Sequence, residues 1–370
     1  MIRVGFALLS NSHNPIPSTR IACLNMFQYL RKAGFEPEIL FDPLTPCEEP
    51  ELDGVVDKAL ARQCAVVVFQ KVHGSAVVEA ATRLRNAGVR TVYSVCDLVD
   101  NQMAAATDAT IAVTSYLKSL YHPDLQARIR VVHDGVERPE LFRSTKDQDV
   151  SKRGRGLKAS LVTSHELYAI PVLGIPPRGW CVDVIGHFPP GGHRMTRMWS
   201  ARRMLSATGL TRKVSLLLAM LHSRIRHIAW DYQGVYERLL ESDAGIIPIN
   251  TSDDHCGPSG IPSWKVKSEN RLTLKMAMGL PVIATPIPSY EDIIEHGKNG
   301  FLARSRRDWL YCLERLRDED LRREMGSKAR ESALGRYSMD AQANLLLAVL
   351  GRVMIAETNY DNALAPALDR

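Results

Sequence analysis

The chain has 370 residues, of which 45% are hydrophobic and 24% charged, with a formal net charge of +6. At roughly 100–200 residues per domain, that length exceeds one ordinary core and predicts two. The composition excludes a disordered or fibrous chain, and no apolar run reaches the roughly 18–20 residues that a membrane-crossing helix needs.

From the N-terminus, Arg3 to Leu9 reads as a buried strand. The polar run Asn11 to Asn14 that follows offers no cleavage site, so no signal peptide is expected. Thr19 to Ala33 has helical spacing (Ile21, Leu24, Phe27, Leu30) and stops at Gly34. Strands are expected at Pro37 to Phe41, Ala65 to Phe69, Arg90 to Val95, Thr110 to Val113 and Ile129 to Val132, with a helix over Gly74 to Ala87. Strand and helix in alternation mean parallel pairing with helices on both faces, so residues 1–145 form a Rossmann-like, doubly wound domain. Arg143 to Gly156 is polar, lacks apolar periodicity and reads as a linker.

The rhythm then restarts. Strands are expected at Leu157 to Val162, Cys181 to Ile185, Ile225 to Ala229, Ala244 to Pro248 and Pro281 to Thr285. Helices are expected at Tyr232 to Ser242, Arg271 to Met278, Tyr290 to Glu295, Arg306 to Leu316 and Asp318 to Leu334. These define a second Rossmann-like domain over residues 157–338. A last helix from Met339 to Ile355 opens a C-terminal segment, 339–370, able to return to the N-terminal domain. Two α/β domains of this kind would face a central cleft, since doubly wound sheets bind ligands at the C-terminal edges of their strands.

Seven cysteines are scattered without a C-x-x-C pair, which argues against a disulfide framework or a zinc site and for a reducing, cytoplasmic setting. The basic excess suits an anionic ligand such as a nucleotide diphosphate, and equally an acidic membrane surface. The segment His193 to Arg203, basic with Met and Trp interleaved, is the place for a peripheral contact at the inner membrane face, although a solvated helix face reads as well.

The densest chemistry lies between Trp264 and Leu302. Lys265, Lys267, Arg271 and Lys275 cluster where a polar turn enters a helix that Gly279 ends. A helix start offers unpaired N–H groups and a positive dipole end, so a diphosphate leaving group can be stabilised there without a metal. The run Met276-Ala-Met-Gly-Leu-Pro-Val-Ile-Ala, with Tyr290-Glu-Asp-Ile-Ile and Gly297-Lys-Asn-Gly-Phe-Leu after it, resembles the donor-binding block of retaining glycosyltransferases of the GT-B fold, close to their family 4. Thr107 to Leu120, Val131 to Glu137, Ile228 to Asp231 and Leu239 to Pro248 resemble further segments of that family. The resemblance implies a hexosyltransferase-like enzyme that takes a sugar from a nucleotide-sugar donor, with retention, no metal and no cofactor. The acceptor would be a glycan, a lipid-linked or a small-molecule hydroxyl. It departs from the family where two glutamates eight positions apart are usual, for those positions are Val266 and Leu274. Ser268-Glu-Asn-Arg271 instead matches a variant reading Ser-x-Asn-Lys.

On this reading Arg271 and Lys275 offset the developing charge, and Lys267 and Asn270 hold the donor with Glu291 or Asp292 on the ribose. Ser289 is expected as an N-cap or donor contact. Ser164 and His165, after the first strand of the second domain, stand where the family holds donor phosphate. In the N-terminal half Arg20 opposes the dipole of its helix and so invites a second role. Gln70, Lys71 and His73 follow one strand, and Asp97 and Asp100 another, at the C-terminal edge; His73 or Asp97 would orient or deprotonate the acceptor hydroxyl. Two alternatives stay open: transfer to a polymer such as modified DNA, and a non-catalytic nucleotide-sugar binding protein, which the missing glutamates suggest.

Overall fold

A computed structural model describes residues 1–142, 156–163, 178–186, 210, 213–214, 222–253, 256–257 and 259–364. The expected linker up to residue 155, Ser164, His165 and the segment His193 to Arg203 lie outside these residues. The chain divides into two compact units, the first comprising Met1–Gly135, Asp254–Ser268 and Tyr337–Arg370, the second Val136–Asp253 and Glu269–Arg336.

The first unit is built on six parallel strands, β1 (Ile2–Ala7), β2 (Phe35–Phe41), β3 (Cys64–Gln70), β4 (Arg90–Val95), β5 (Ala109–Ala112) and β6 (Ile129–Val131), in the order β2-β1-β3-β4-β5-β6. Its near-continuous apolar strands are those of a sheet covered on both faces. One face packs under α3 (Val55–Ala61), α4 (Ser75–Asn86), α5 (Asn101–Ala106) and α6 (Ser115–Ser119), burying Val67, Phe69, Leu84 and Met103. The other packs under α1 (Pro17–Ala22) and α2 (Phe27–Lys32), burying Phe6, Met26, Phe27 and Leu30.

The second unit also has six parallel strands: β7 (Leu157–Val162), β8 (Trp180–Gly186), β9 (Ile225–Ala229), β10 (Ala244–Ile247), β11 (Val282–Ala284) and β12 (Phe301–Leu302). Their order is β12-β11-β10-β7-β8-β9. Between them run α7 (Gly234–Leu240), α8 (Asn270–Ala277) and α9 (Pro288–Glu291), followed by α10 (Arg306–Arg315) and α11 (Glu319–Tyr337). The last helix, α12 (Met339–Leu364), belongs to the first unit, where Met339, Leu346, Leu350 and Val353 join the cluster beneath α1 and α2.

Both units are therefore doubly wound, as the alternation predicts, but with different strand orders. The chain reverses direction between β1 and β3 in the first unit and between β7 and β10 in the second. Ligands of such sheets bind beside these reversals, at the C-terminal strand ends.

Three local differences from expectation have physical causes. The single helix expected over Thr19 to Ala33 is two, because Cys23 leaves helical geometry (φ −124°, ψ −67°) while Ile21, Phe27 and Leu30 stay on the core face. The short α3 and α5 were not expected; α5 owes its start to Asp100, whose side chain accepts from the Met103 N–H. Residues 254–268 group with the first unit rather than with 157–338, because Val266 is buried in that unit's core.

Candidate functional site

In the second unit the chain leaves β10 near the reversal point and later enters α8, whose N-terminal end thus lies at the C-terminal edge of the sheet. Leu272 and Met276 fasten α8 onto β10 and β11, and Gly279, in a left-handed turn (φ +77°), ends it. Lys275 shares this inward face. It is only 1% exposed.

Gly245 of β10 makes the room: a Cβ built on it would fall 2.6 Å from Lys275 Cδ. The Nζ turns back along the helix and donates to the Arg271 carbonyl at 3.2 Å. Burial first, and then the neighbouring Arg271 guanidinium, bring the Lys275 ammonium down from its ordinary 10.5 to about 7. A buried amine tends toward its neutral form when no carboxylate sits beside it.

Other polar groups are buried around this helix start. Glu269, the residue before α8, is buried, and Tyr290 of α9 is pushed up to about 12 by burial, with Arg271 and Glu269 both close enough to act on it. Ser289 is buried and its hydroxyl has no hydrogen-bond partner among the described residues. It is not the N-cap; that place belongs to Ile287. Clusters of buried titratable groups at a strand edge mark functional sites, because burial there costs stability that an ordinary core avoids.

The remaining donor-side candidates stand as follows. Asn270 is the first residue of α8 and half-buried. Lys267 falls in the first unit and Arg271 in the second, for the division runs between Ser268 and Glu269. Glu291 is exposed and paired with Arg304 at 2.8 Å, and Asp292 is exposed at the end of α9.

In the first unit the reversal point lies at the ends of β1 and β3. Gln70 is buried there, its side-chain carbonyl accepting from Leu9 N at 3.1 Å and from Thr19 Oγ1 at 2.9 Å. That carbonyl ties the β1 loop to α1. Arg20 lies in the last turn of the six-residue α1, so the dipole argument for it lapses: a cation is favoured at a helix C-terminus.

Lys71 has a left-handed backbone (φ +58°) and is mostly buried. Its Nζ meets Asp97 Oδ1 at 2.7 Å and Oδ2 at 3.0 Å. Burial opposes its charge, but the Cys96 side chain and the Asp97 carboxylate beside it leave the ammonium above its ordinary value. Non-glycine residues held in this backbone region are concentrated at functional sites. His73 faces Glu48 and Glu49 at 4.0 and 3.7 Å.

Lys71, His133 and Asp134 line a cavity of about 30 Å³ whose inner wall includes Met26, Ile111 and Leu346. That is room for about two water molecules, not for a sugar ring. Among the described residues no three of His, Cys, Asp and Glu converge as metal ligands.

The sequence placed Lys275 in the basic cluster at the helix start without revealing its burial. The signal was present: Lys275 stands three residues after Leu272 and next to Met276, within the apolar stripe of α8. Sequence reasoning missed Glu269 and Gly245 outright.

No protein-family profile and no curated protein sequence matches this chain. Solved structures do resemble it. HepE of Anabaena, solved with UDP-glucose, has a TM-score of 0.64 at 14% identity, covering 95% of this chain and 100% of its own. A glycosyltransferase of Rickettsia africae has a TM-score of 0.67 at 12% identity over 95% and 99% of the two chains. Sucrose-phosphate synthase of Thermosynechococcus elongatus has a TM-score of 0.64 at 12% identity over 96% and 100%. At such identities the likeness shows the fold: two Rossmann-like domains, as in GT-B glycosyltransferases.

Proposed function

We propose that the chain is a glycosyltransferase that moves a sugar from a nucleotide-sugar donor to a hydroxyl acceptor. The observation that carries the proposal is half-buried Arg271 in the first turn of α8 beside the strand reversal, with Lys275 buried one turn further along and bonded to the Arg271 carbonyl. A cation in the first turn opposes the helix dipole, and a diphosphate at that helix start brings charge that Arg271 can meet. The fold likeness supports the same reading, since HepE of Anabaena was solved with UDP and with UDP-glucose.

In this reading the diphosphate lies against Arg271, whose planar fork suits two phosphoryl oxygens, and leaves as the sugar is transferred. Arg271, Lys275 and the helix dipole offset the charge that develops on it, which makes a metal unnecessary. Glu291 or Asp292 takes ribose hydroxyls. Retention is proposed from the resemblance alone. On the first unit, Asp97, held by Lys71, accepts a hydrogen bond from the acceptor hydroxyl, with His73 at the same edge.

A thermal-shift screen of UDP-, GDP-, ADP- and CMP-activated sugars tests this, followed by an assay for released nucleotide on any ligand that stabilises. Stabilisation with slow release, both lost in Arg271→Ala, is the expected outcome. No shift with any nucleotide sugar would sink the assignment.

A second reading, binding without turnover, has one observation in its favour. Of the two positions where the family has glutamates, Val266 is buried in an apolar core and Leu274 is half-buried. Stabilisation without release, with every acceptor class tried, would favour it.

A further inference from the structure

The cavity of the first unit has a polar wall that the fold leaves without partners. Its floor is apolar, formed by Phe6, Met26, Ile111 and Leu346, all buried. Its partly exposed lining residues, Ser18, Ala22, Cys96 and His133, mark where it opens. Gln70, at the end of β3, and Ser94 of β4 also line it, and they lie opposite each other in the register of the two strands. Side chains alternate along a strand, so Gln70 shares the face of Val68 and Ser94 that of Val92, the face packed under α1, α2 and α12. Only 1% of Gln70 and 9% of Ser94 is exposed.

Partners orient the Gln70 amide. Leu9 N–H can only donate, so the atom it meets is the carbonyl oxygen, which also accepts from Thr19 Oγ1, and the –NH2 group is turned away from both. Among the described residues neither that –NH2 group nor the Ser94 hydroxyl has a hydrogen-bond partner. The Lys71 ammonium meets only Asp97 among them, at two contacts, which leaves at least one of its three protons. Buried donors without partners are costly, and native structures keep them where water or a ligand completes them. A water molecule would satisfy the polar wall but set its other side against the apolar floor. A group of one carbon and one oxygen meets both. A carboxylate is disfavoured, because Asp97 already answers Lys71 and Asp134 lines the same cavity.

We propose that this cavity is an acceptor subsite for a hydroxymethyl arm, the –CH2OH of a hexose. The carbon lies against Met26 and Leu346; the oxygen accepts from Gln70 Nε2 and Lys71 Nζ and donates its proton to Ser94 Oγ. The arm has two heavy atoms, matching a cavity with room for about two water molecules, while the sugar ring stays outside. The inference deepens the reading of the first unit as the acceptor side, and rests on it for the role of the bound sugar. An arm held beside Lys71 sets the rest of the acceptor next to Asp97. Leu346 gives the last helix a part in specificity, since its side chain limits how large an arm can enter.

The test is an NMR titration of the full chain, labelled with carbon-13 at its methionine methyls and read at Met26, whose resonance is identified by its loss in Met26→Leu. The probes are the methyl glycosides of glucose, galactose and mannose. Each is compared with the pentoside that lacks the arm and with the uronate that carries a carboxylate in its place. At least one hexoside should move the Met26 resonance, and its pentoside should bind about tenfold more weakly or worse. Ser94→Ala should weaken that hexoside about fivefold and leave the pentoside unchanged. It should not lower the unfolding midpoint, because the hydroxyl has no partner in the fold to lose. A purely structural Ser94 would behave the other way, losing stability with selectivity intact, and that result would overturn the inference. So would a Met26 resonance that no hexoside moves, equal binding of hexoside and pentoside, or tighter binding of the uronate. The comparison of glycosides on the wild type needs no variant, so it decides the question even if Ser94→Ala fails to fold. No donor is present in this titration, so its failure leaves the nucleotide-sugar reading standing, and a failed nucleotide-sugar screen leaves the cavity result standing.

Discussion

At the scale of the residue, Lys275 has a consequence for stability independent of any ligand. Its proton is held less tightly in the folded chain, to about 7, than the 10.5 of an unperturbed lysine. Between these values the unfolded chain binds more protons than the folded one, so stability rises with pH across that window and the penalty is fully present below pH 7. At about 1.4 kcal/mol per unit, the penalty is on the order of a few kcal/mol. Lys275→Met, which keeps the stem and removes the amine, should therefore stabilise the second unit at neutral pH. Urea unfolding at pH 7 and pH 9.5 checks both parts: the wild type should gain between these values, and the variant should start higher and gain little. A wild type whose midpoint falls over this range would mean that the amine is not buried as described. The Arg226–Asp183 pair shows the opposite solution to the same problem. Asp183 is fully buried but accepts two bonds from Arg226, at 2.6 and 2.8 Å.

At the scale of the element, the loops at the strand ends combine helix-capping polar groups with candidate site residues, and partners tell them apart. Asp100 and Asp97 both follow β4 and look alike in the sequence. Asp100 spends its carboxylate on the Met103 N–H and so starts α5, whereas Asp97 meets Lys71. Asp100→Ala should cost about 1 kcal/mol in a denaturation experiment, and Asp100→Asn, an equally good cap, should recover most of it. If neither variant loses stability while both lose ligand response, Asp100 is not primarily a cap. Gln70 is a similar case, for its carbonyl holds the β1 loop to α1, a task the sequence does not announce. Helices with a clear apolar stripe and a glycine stop, such as α4 and α8, were legible. The short α3, α5 and α9 were harder to read, because a stretch of 4 to 7 residues spans too few turns to show a period.

At the scale of the molecule, the last helix is the feature that separates sequence order from domain membership. α12 follows the second unit in the chain yet completes the core of the first, where Leu350 is fully buried. His133 fixes the return: its N–H donates to Gln342 Oε1 at 2.8 Å, and its ring stands edge-on to Tyr337 at 4.8 Å. Leu350→Ala should cost about 2–5 kcal/mol, felt by the first unit. Hydrogen exchange would locate the loss: protection should fall in β1, β3 and β4 and hold in β7, β8 and β10. Equal loss in both units would mean that they unfold as one.

The sequence by itself determined the alternation of strand and helix, the parallel pairing and the two doubly wound units, because apolar periodicity and glycine stops are local properties. It also marked the strand ends that doubly wound sheets offer to ligands and named Arg271, Lys275, Lys71 and Asp97 among the candidates. Only the tertiary structure decided that Lys275 lies in a notch opened by Gly245, that Val266 anchors residues 254–268 to the first unit, and that α12 closes a core begun more than 300 positions earlier. The reason is physical. Periodicity tells which residues share a face, but which face is covered, and by what, depends on contacts between residues far apart in the chain, and burial in turn sets whether a lysine carries its charge.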